Sequence, residues 1–283
     1  VPMTCKKKYE IFNTKSYNTD YAIAKGKVCG YRKAVDYSKN LLTKSKETIF
    51  YNSSSDVNVT REILYSASKV NAIVDHLNSS IFLKNIGIYQ RRGYMATTLT
   101  EVKNKSDVII LFSNNILRDY PRLLEKYLAT KDSFSINPKR KKIYIIGNKK
   151  NNFKNCKVKD KRINFIDFDN KKIPMLLDCL INKDNKSKIT KTLFEKLIES
   201  IDKSKYLSIL WATSEFYGYK ECDQIIHKIS DYVVTLNEKT RAGCLSLAGN
   251  DGDVSAVQAV GWVTGFPSRI KFTGHFFEYD KDV

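Results

Sequence analysis

Three short apolar runs limit the possible folds of this chain more than anything else in it: "SDVIILFSN" at 106–114, "KKIYIIGN" at 141–148 and "YLSILWAT" at 206–213. A strand with one wet face alternates apolar and polar residues, because successive side chains point to opposite sides. These runs do not alternate. The first two are near-continuous apolar runs between turn residues, as expected of strands covered on both faces in a parallel sheet flanked by helices, and the third reads as a strand of the same series. The reading is α/β.

The segments between the runs fit that reading. "AVDYSKNLL" reads as a short helix and "ETIFYNS" (47–53) as a strand. Val59, Ile63, Ala67, Val70, Val74 and Leu77 recur at steps of three and four, which predicts one amphipathic helix across 59–77. "YPRLLEKYLAT" predicts a helix with Pro121 in its first turn. Further on, "INFIDFD", "GCLSLAG" and "RIKFTG" read as strands, and "TKTLFEKLIESIDKS", "CDQIIHKISDYVVTLNE" and "VSAVQAVGWVTG" as helices. Alternating elements of this kind give doubly wound lobes with mostly parallel sheets. The cationic, aperiodic stretch 149–162 reads as a linker or edge loop. The expected organisation is an irregular arm over 1–30, a first α/β lobe over 31–150 and a second over 151–283.

The chain has 283 residues, a hydrophobic content of 42% and a formal net charge of +19. The charge invites a polyanionic partner: nucleic acid, acidic lipid or a polyanionic small molecule. Abundant Lys, Asn and Ile throughout are also what an A/T-rich coding sequence produces. The cation runs at 6–8 and 138–142 lack interleaved aromatics, so no base-stacking platform is visible and nucleic acid is not the favoured partner. Six cysteines, at 5, 29, 156, 179, 222 and 244, have no CxxC spacing, which reads as reduced thiols in a cytoplasmic protein. The start, "VPMTCKKKYEIFNTKS", shows no apolar h-region and no later run reaches spanning length, so neither secretion nor membrane spanning is expected.

"LSLAGNDGDVSAVQAVGWVTGFPSR" (245–269) carries four of the 12 glycines and passes from strand through turn to helix. Such a junction cradles phosphate when backbone N–H groups face the ligand. Here Asp251 and Asp253 would themselves occupy the positive end of the helix, so capping is the expected role. Neither GxGxxG nor GxxxxGK[ST] is present. His76, His227 and His275 stand in no metal motif, His76 and His227 both within helix patterns, and no metal site is expected. Asp167 and Asp169 end a strand and read as loop-solvating carboxylates.

Two stretches carry a resemblance. "YMATTLTEVKNKSDVIILFSNNILRDYPRLLEKYL" (94–128) resembles a segment of the B subunit of formylmethanofuran dehydrogenase, in which a Leu-x-Glu-Val run leads into a buried strand and then a Pro-Arg pair. The C-terminal stretch is similar to that family's small-residue turn, Trp-bearing helix and Gly-aromatic-Pro-x-Arg, carried here by Gly249, Asn250, Trp262, Gly265, Phe266, Pro267 and Arg269. The resemblance covers most of 31–272. It implies two Rossmann-like lobes of a reduced molybdopterin-oxidoreductase (formate dehydrogenase-like) fold, without the iron–sulfur cluster or the extra pterin-enclosing domain.

The departures shape the expected function. Catalytic members carry a CxxCxxxC and a metal-ligating Cys, whereas this chain offers Cys5 and Cys29, and "LKNIGIYQRRGYMA" stands where the metal ligand belongs. A cubane needs four thiolates. The combination resembles the B subunit of the formyltransferase/hydrolase complex of methylotrophic bacteria. That resemblance implies a non-catalytic structural subunit in one-carbon metabolism, with no pterin, cluster or metal of its own. The implied partners are an amidohydrolase-like subunit that carries the metal, a formyltransferase subunit and a further structural subunit. Together they would move formyl from tetrahydromethanopterin to a methanofuran-type carrier and release formate. Arg91, Arg92, Arg118 and Arg122 are candidate contacts for the carrier's polyglutamate tail, Arg being suited to bidentate carboxylate pairing. Gly249, Asn250, Asp251, Gly252 and Arg269 form a vestigial pterin-side turn. An active molybdenum or tungsten dehydrogenase subunit and a nucleic-acid-binding α/β protein are the alternatives.

Overall fold

The computed structural model describes residues 21–52, 55–156, 158–187, 189–247, 252–274 and 276–279. Strands β1 (Tyr21–Ala24) and β2 (Lys27–Gly30) make an antiparallel hairpin, followed by helix α1 (Tyr31–Lys44). Next come β3 (Ile49–Asn52), α2 (Val57–Lys69), β4 (Ile73–His76), α3 (Ser79–Arg92), α4 (Leu99–Asn104), β5 (Val108–Phe112) and the single turn α5 (Ile116–Asp119). They lead to β6 (Lys142–Gly147), α6 (Lys149–Asn155), β7 (Ile163–Asp167), α7 (Ile173–Asn182) and α8 (Lys191–Asp202). The series closes with β8 (Tyr206–Ala212), α9 (Cys222–Leu236), β9 (Arg241–Leu247), α10 (Asp253–Thr264), β10 (Ile270–Thr273) and β11 (Phe276–Tyr279).

The larger sheet is fully parallel, in the order β7-β6-β5-β8-β9. Every residue of β5 and β8 is buried; in β8 this includes Ser208, whose hydroxyl is hydrogen-bonded to that of Ser106 at 2.5 Å. Alternate residues feed two cores. Ile110, Phe112, Tyr144 and Ile209 meet Leu177 of α7 and Ile225 of α9 on one side. Ile109, Leu111 and Ile145 meet Val102 of α4 and Leu124 and Leu128 on the other. Gly147 ends β6 at φ +146, and a Cβ there would lie 2.0 Å from the Ser113 carbonyl oxygen, so only glycine lets the two strand ends close up.

The smaller sheet, β11-β10-β4-β3, is mixed: β3 and β4 are parallel, while β10 pairs antiparallel with both β4 and β11. Helices α2 and α10 pack against each other and, with Val74, Ile270 and Phe272 of the sheet, close a third core containing Leu64 and Val260.

Several expectations are corrected. The helix predicted over 59–77 stops at Lys69, because Asn71 turns left-handed at φ 51, and Val74 and His76 belong to β4. The 149–162 stretch opens with a helix, α6, whose cap Asn148 accepts from the Asn151 N–H at 3.0 Å. Residues 21–30 of the supposedly irregular arm form the hairpin; residues 1–20 lie outside the described set. "YPRLLEKYLAT" winds one π-helical turn at Leu124–Leu128 in place of a regular helix. Sheet membership does not divide at residue 150. β6 and β7 are hydrogen-bonded neighbours on either side of it, and the smaller sheet combines β3 and β4 with β10 and β11.

Candidate functional site

In a doubly wound sheet, ligands bind outside the carboxyl ends of the strands, where successive connections run to opposite sides. Here that point lies between β5 and β8, since β6 and β7 extend one way and β9 the other. The loop after β5 supplies Ser113, Asn114 and Asn115, and the loop after β8 supplies Glu215. The Glu215 carboxylate accepts the Asn114 N–H at 2.7 Å and also the Asn115 N–H. Burial raises its pKa against the opposing pull of those donors. The amides that would face a bound anion are thus held by the chain's own side chain.

Beside this plug, an open polar cleft of about 560 Å³ crosses the ends of β5, β6 and β7, lined by Asn114, Asn148, Asp167, Asp169, Asn170 and Tyr219 among others. Asn114 Oδ1 accepts from the Asn148 N–H at 3.0 Å, and its Nδ2 donates to the Tyr219 hydroxyl at 3.3 Å. Asp167 accepts from the Lys149 N–H and Asp169 from the Lys171 N–H, both at 3.1 Å, so these carboxylates cap turns instead of merely solvating a loop. Asn170 is buried, and both of its amide atoms lack a hydrogen-bond partner.

A second cleft, about 660 Å³, lies between α3 and the Gly265-Phe266-Pro267 turn and contains Arg91, Arg269, Lys84 and Gln90. Arg269 has a left-handed backbone (φ 57) and donates from Nη2 to the Ser80 hydroxyl at 2.6 Å. Lys84 is paired with Asp223 at 3.0 Å. Arg91 and Arg269, placed in separate groups by the sequence, therefore share one cleft.

The four candidate arginines do not share a surface of this kind. Arg92 donates from Nε to His227 Nε2 at 2.7 Å, in a neighbouring recess that also includes Arg91. Arg118 pairs with Asp119 at 2.8 Å and Arg122 with Glu125 at 3.0 Å, away from the cleft lining. Of the vestigial turn, Gly249, Asn250 and Asp251 lie outside the described residues, as does His275. Gly252 is the N-cap of α10, left-handed at φ 89 with no side-chain cap bond. Asp253 is not a helix cap. It is fully buried, accepts from Asn78 Nδ2 at 2.6 Å and stands 3.4 Å from His76 Nε2. His76 Nδ1 accepts the Asn78 N–H at 3.0 Å, which leaves the ring proton on Nε2, toward Asp253. Burial holds the His76 pKa below its ordinary value.

Among the described residues, no three His, Cys, Asp or Glu side chains are grouped so as to hold a metal ion. The described thiols sit apart: Cys29 on β2, Cys156 after α6, Cys179 on α7, Cys222 on α9 and Cys244 on β9, with Cys5 outside the described residues. That arrangement does not fit a four-thiolate cluster. The α3 helix that replaces the expected metal-ligand stretch presents no thiol. Among the described residues, no helix is long and apolar enough to cross a membrane.

Fold and clefts together define an α/β protein built on a doubly wound parallel sheet, with polar crevices at the strand ends. No family model matches the sequence. The chain is similar to the B subunit of the tungsten-containing formylmethanofuran dehydrogenase 2 of Methanocaldococcus jannaschii, at 21% identity over 259 residues and 88% of this chain. Its counterpart in Methanococcus maripaludis matches at 21% over 257 residues, again 88% of this chain. The chain spans 59% of the length of each of these relatives. Among solved structures, a chain of the formyltransferase/hydrolase complex from Methylorubrum extorquens, crystallised with methylofuran, shares the fold. The TM-score is 0.69 at 19% identity, covering 92% of this chain and 70% of that one.

Proposed function

We propose that this chain is a non-catalytic structural subunit of a formyltransferase/hydrolase assembly. In it, formyl passes from tetrahydromethanopterin to a methanofuran-type carrier and leaves as formate. The observation that carries this reading is the fold likeness to a chain of such a complex, extending over 92% of the sequence. The dispersed thiols and the Glu215 plug at the strand-end crevice support a chain without its own pterin, cluster or metal. The chemistry then belongs to an amidohydrolase-like subunit, which holds the metal, and to a formyltransferase subunit, with a further structural subunit completing the assembly in the cytoplasm. Arg91, sharing its cleft with Arg269, is the contact we favour for the carrier's polyglutamate tail; Arg92, Arg118 and Arg122 are already engaged by neighbouring side chains.

Purification from the native host tests the assembly. The chain should emerge with an amidohydrolase-like and a formyltransferase-like polypeptide, and isolation without either rejects the reading. In the assembled complex, Arg91→Ala should raise the carrier's KM with kcat little changed; an unaltered KM at low salt removes Arg91 from the tail's path. The names of the curated relatives favour a second reading, an active tungsten or molybdenum dehydrogenase subunit. Stoichiometric tungsten or molybdenum in the purified chain would establish it.

A further inference from the structure

The segment from β1 through α1 is the least self-sufficient part of the fold. None of its described side chains is buried, and α1 packs on the hairpin without comparable packing on either larger sheet. A two-stranded hairpin and a 14-residue helix are marginal by themselves in water. Yet the helix is built with two faces. At 100° per residue, Tyr31, Ala34, Val35, Ser38, Leu41 and Leu42 fall on one stripe. The hairpin covers this stripe only in part: Tyr31 is 71% exposed, Leu41 51% and Val35 45%, and the cross-strand pair Ile23–Val28 is exposed alongside.

Charge frames the stripe. Arg32 and Lys39 run along one border and Lys44 flanks the other beside Tyr37, with Lys33 and Asp36 on the back of the helix. Residues 21–47 carry seven Lys or Arg and two Asp or Glu. We propose that this segment docks as a helix into an apolar groove, rimmed on both sides by carboxylates, on a different polypeptide. The stripe's aromatic residue is a tyrosine and an arginine stands at its border, the residue types enriched at protein interfaces. Interfacial lipid-binding helices set Trp or Phe beside Leu, and this stripe has neither Trp nor Phe. The proposal rests on the multi-subunit reading above only in taking the occupant to be another protein chain.

The test compares the free full chain with the chain in its native assembly. In the assembly, α1 amides should exchange at least ~10-fold more slowly. Carbodiimide should link Lys39 or Lys44 to Asp or Glu of a second, different polypeptide. A Val35→Asp/Leu41→Asp variant should lose both signals while its free-chain Tm stays that of the wild type, since neither side chain is buried. The proposal is overturned by equal exchange in the two states, by links only between identical chains, or by isolation with no second polypeptide. It is equally overturned if phosphatidylserine vesicles or duplex DNA protect α1 of the free chain as well as the assembly does. An unprotected α1 beside formyltransferase-like and hydrolase-like partners refutes the docking alone. Protection by a chain of unrelated kind refutes the formyl-complex reading and leaves the docking standing.

Discussion

Glu215 holds two backbone donors at the strand-end crevice, and removing it should expose how much that plug matters. Glu215→Ala leaves the Asn114 and Asn115 amides without their acceptor, and should cost about 1–3 kcal/mol in denaturant midpoints. Glu215→Gln keeps an acceptor and should cost less. Burial raises this carboxyl's pKa in the folded chain, so its protonation favours folding. That contribution is complete below the ordinary glutamate pKa and is lost as pH rises through the folded value. The Gln variant should therefore show a flatter stability profile in mild acid than the wild type. Lys141 presents the opposite case. It is buried, donates from Nζ to the Val102 and Lys103 carbonyls at 3.1 and 2.6 Å, and burial, with Arg162 and Lys103 nearby, lowers its pKa to about 8. Between that pH and the ordinary lysine pKa the unfolded chain binds the extra proton, so stability gains from this group as pH rises. The urea midpoint of the wild type, taken relative to Lys141→Met, should increase from pH 8 toward 10. A constant difference would mean that Lys141 keeps its proton.

Elements differ in how plainly the sequence announces them. β5 and β6 are legible because burial on both faces leaves their centres apolar, and β8 reads as a strand although it carries the buried Ser208. β4 is not: its four residues continue the three-and-four spacing of α2, and the left-handed Asn71 that separates them leaves no compositional mark. β1 and β2 are unreadable for another reason, since neither buries a face that would impose a pattern. The clefts are legible only in pieces. Arg91 and Arg269 each stand out, but nothing local joins them; the antiparallel return of β10 onto β4 does. Glu215 escapes sequence reasoning altogether, although an acid just beyond a fully buried strand is an available signal. At this scale the most sensitive position is Gly147. An added Cβ would sit 2.0 Å from the Ser113 carbonyl oxygen on a backbone at φ +146. Gly147→Ala should destabilise the larger sheet by about 3 kcal/mol or more, read as a drop in Tm, and a drop within experimental error would contradict the close strand-end packing.

For the molecule as a whole, the two sheets draw on the chain in different ways. The larger takes all its strands from one unbroken stretch, Val108 to Leu247. The β5 to β6, β6 to β7 and β8 to β9 connections each step to a neighbour, while the β7 to β8 connection, through α7 and α8, crosses back past β6 and β5. The smaller joins β3 and β4 to β10 and β11, separated from them by the whole of that stretch and more. During synthesis, the five-stranded layer can therefore condense while β3 and β4 still wait for a neighbour. Their partner strand leaves the ribosome only after α10, so the His76–Asp253 contact joins one of the earlier segments to one of the last. Until then β4 has an unpaired edge and the third core lacks Ile270 and Phe272, and a nascent chain stalled before Ile270 should be the form that chaperones hold.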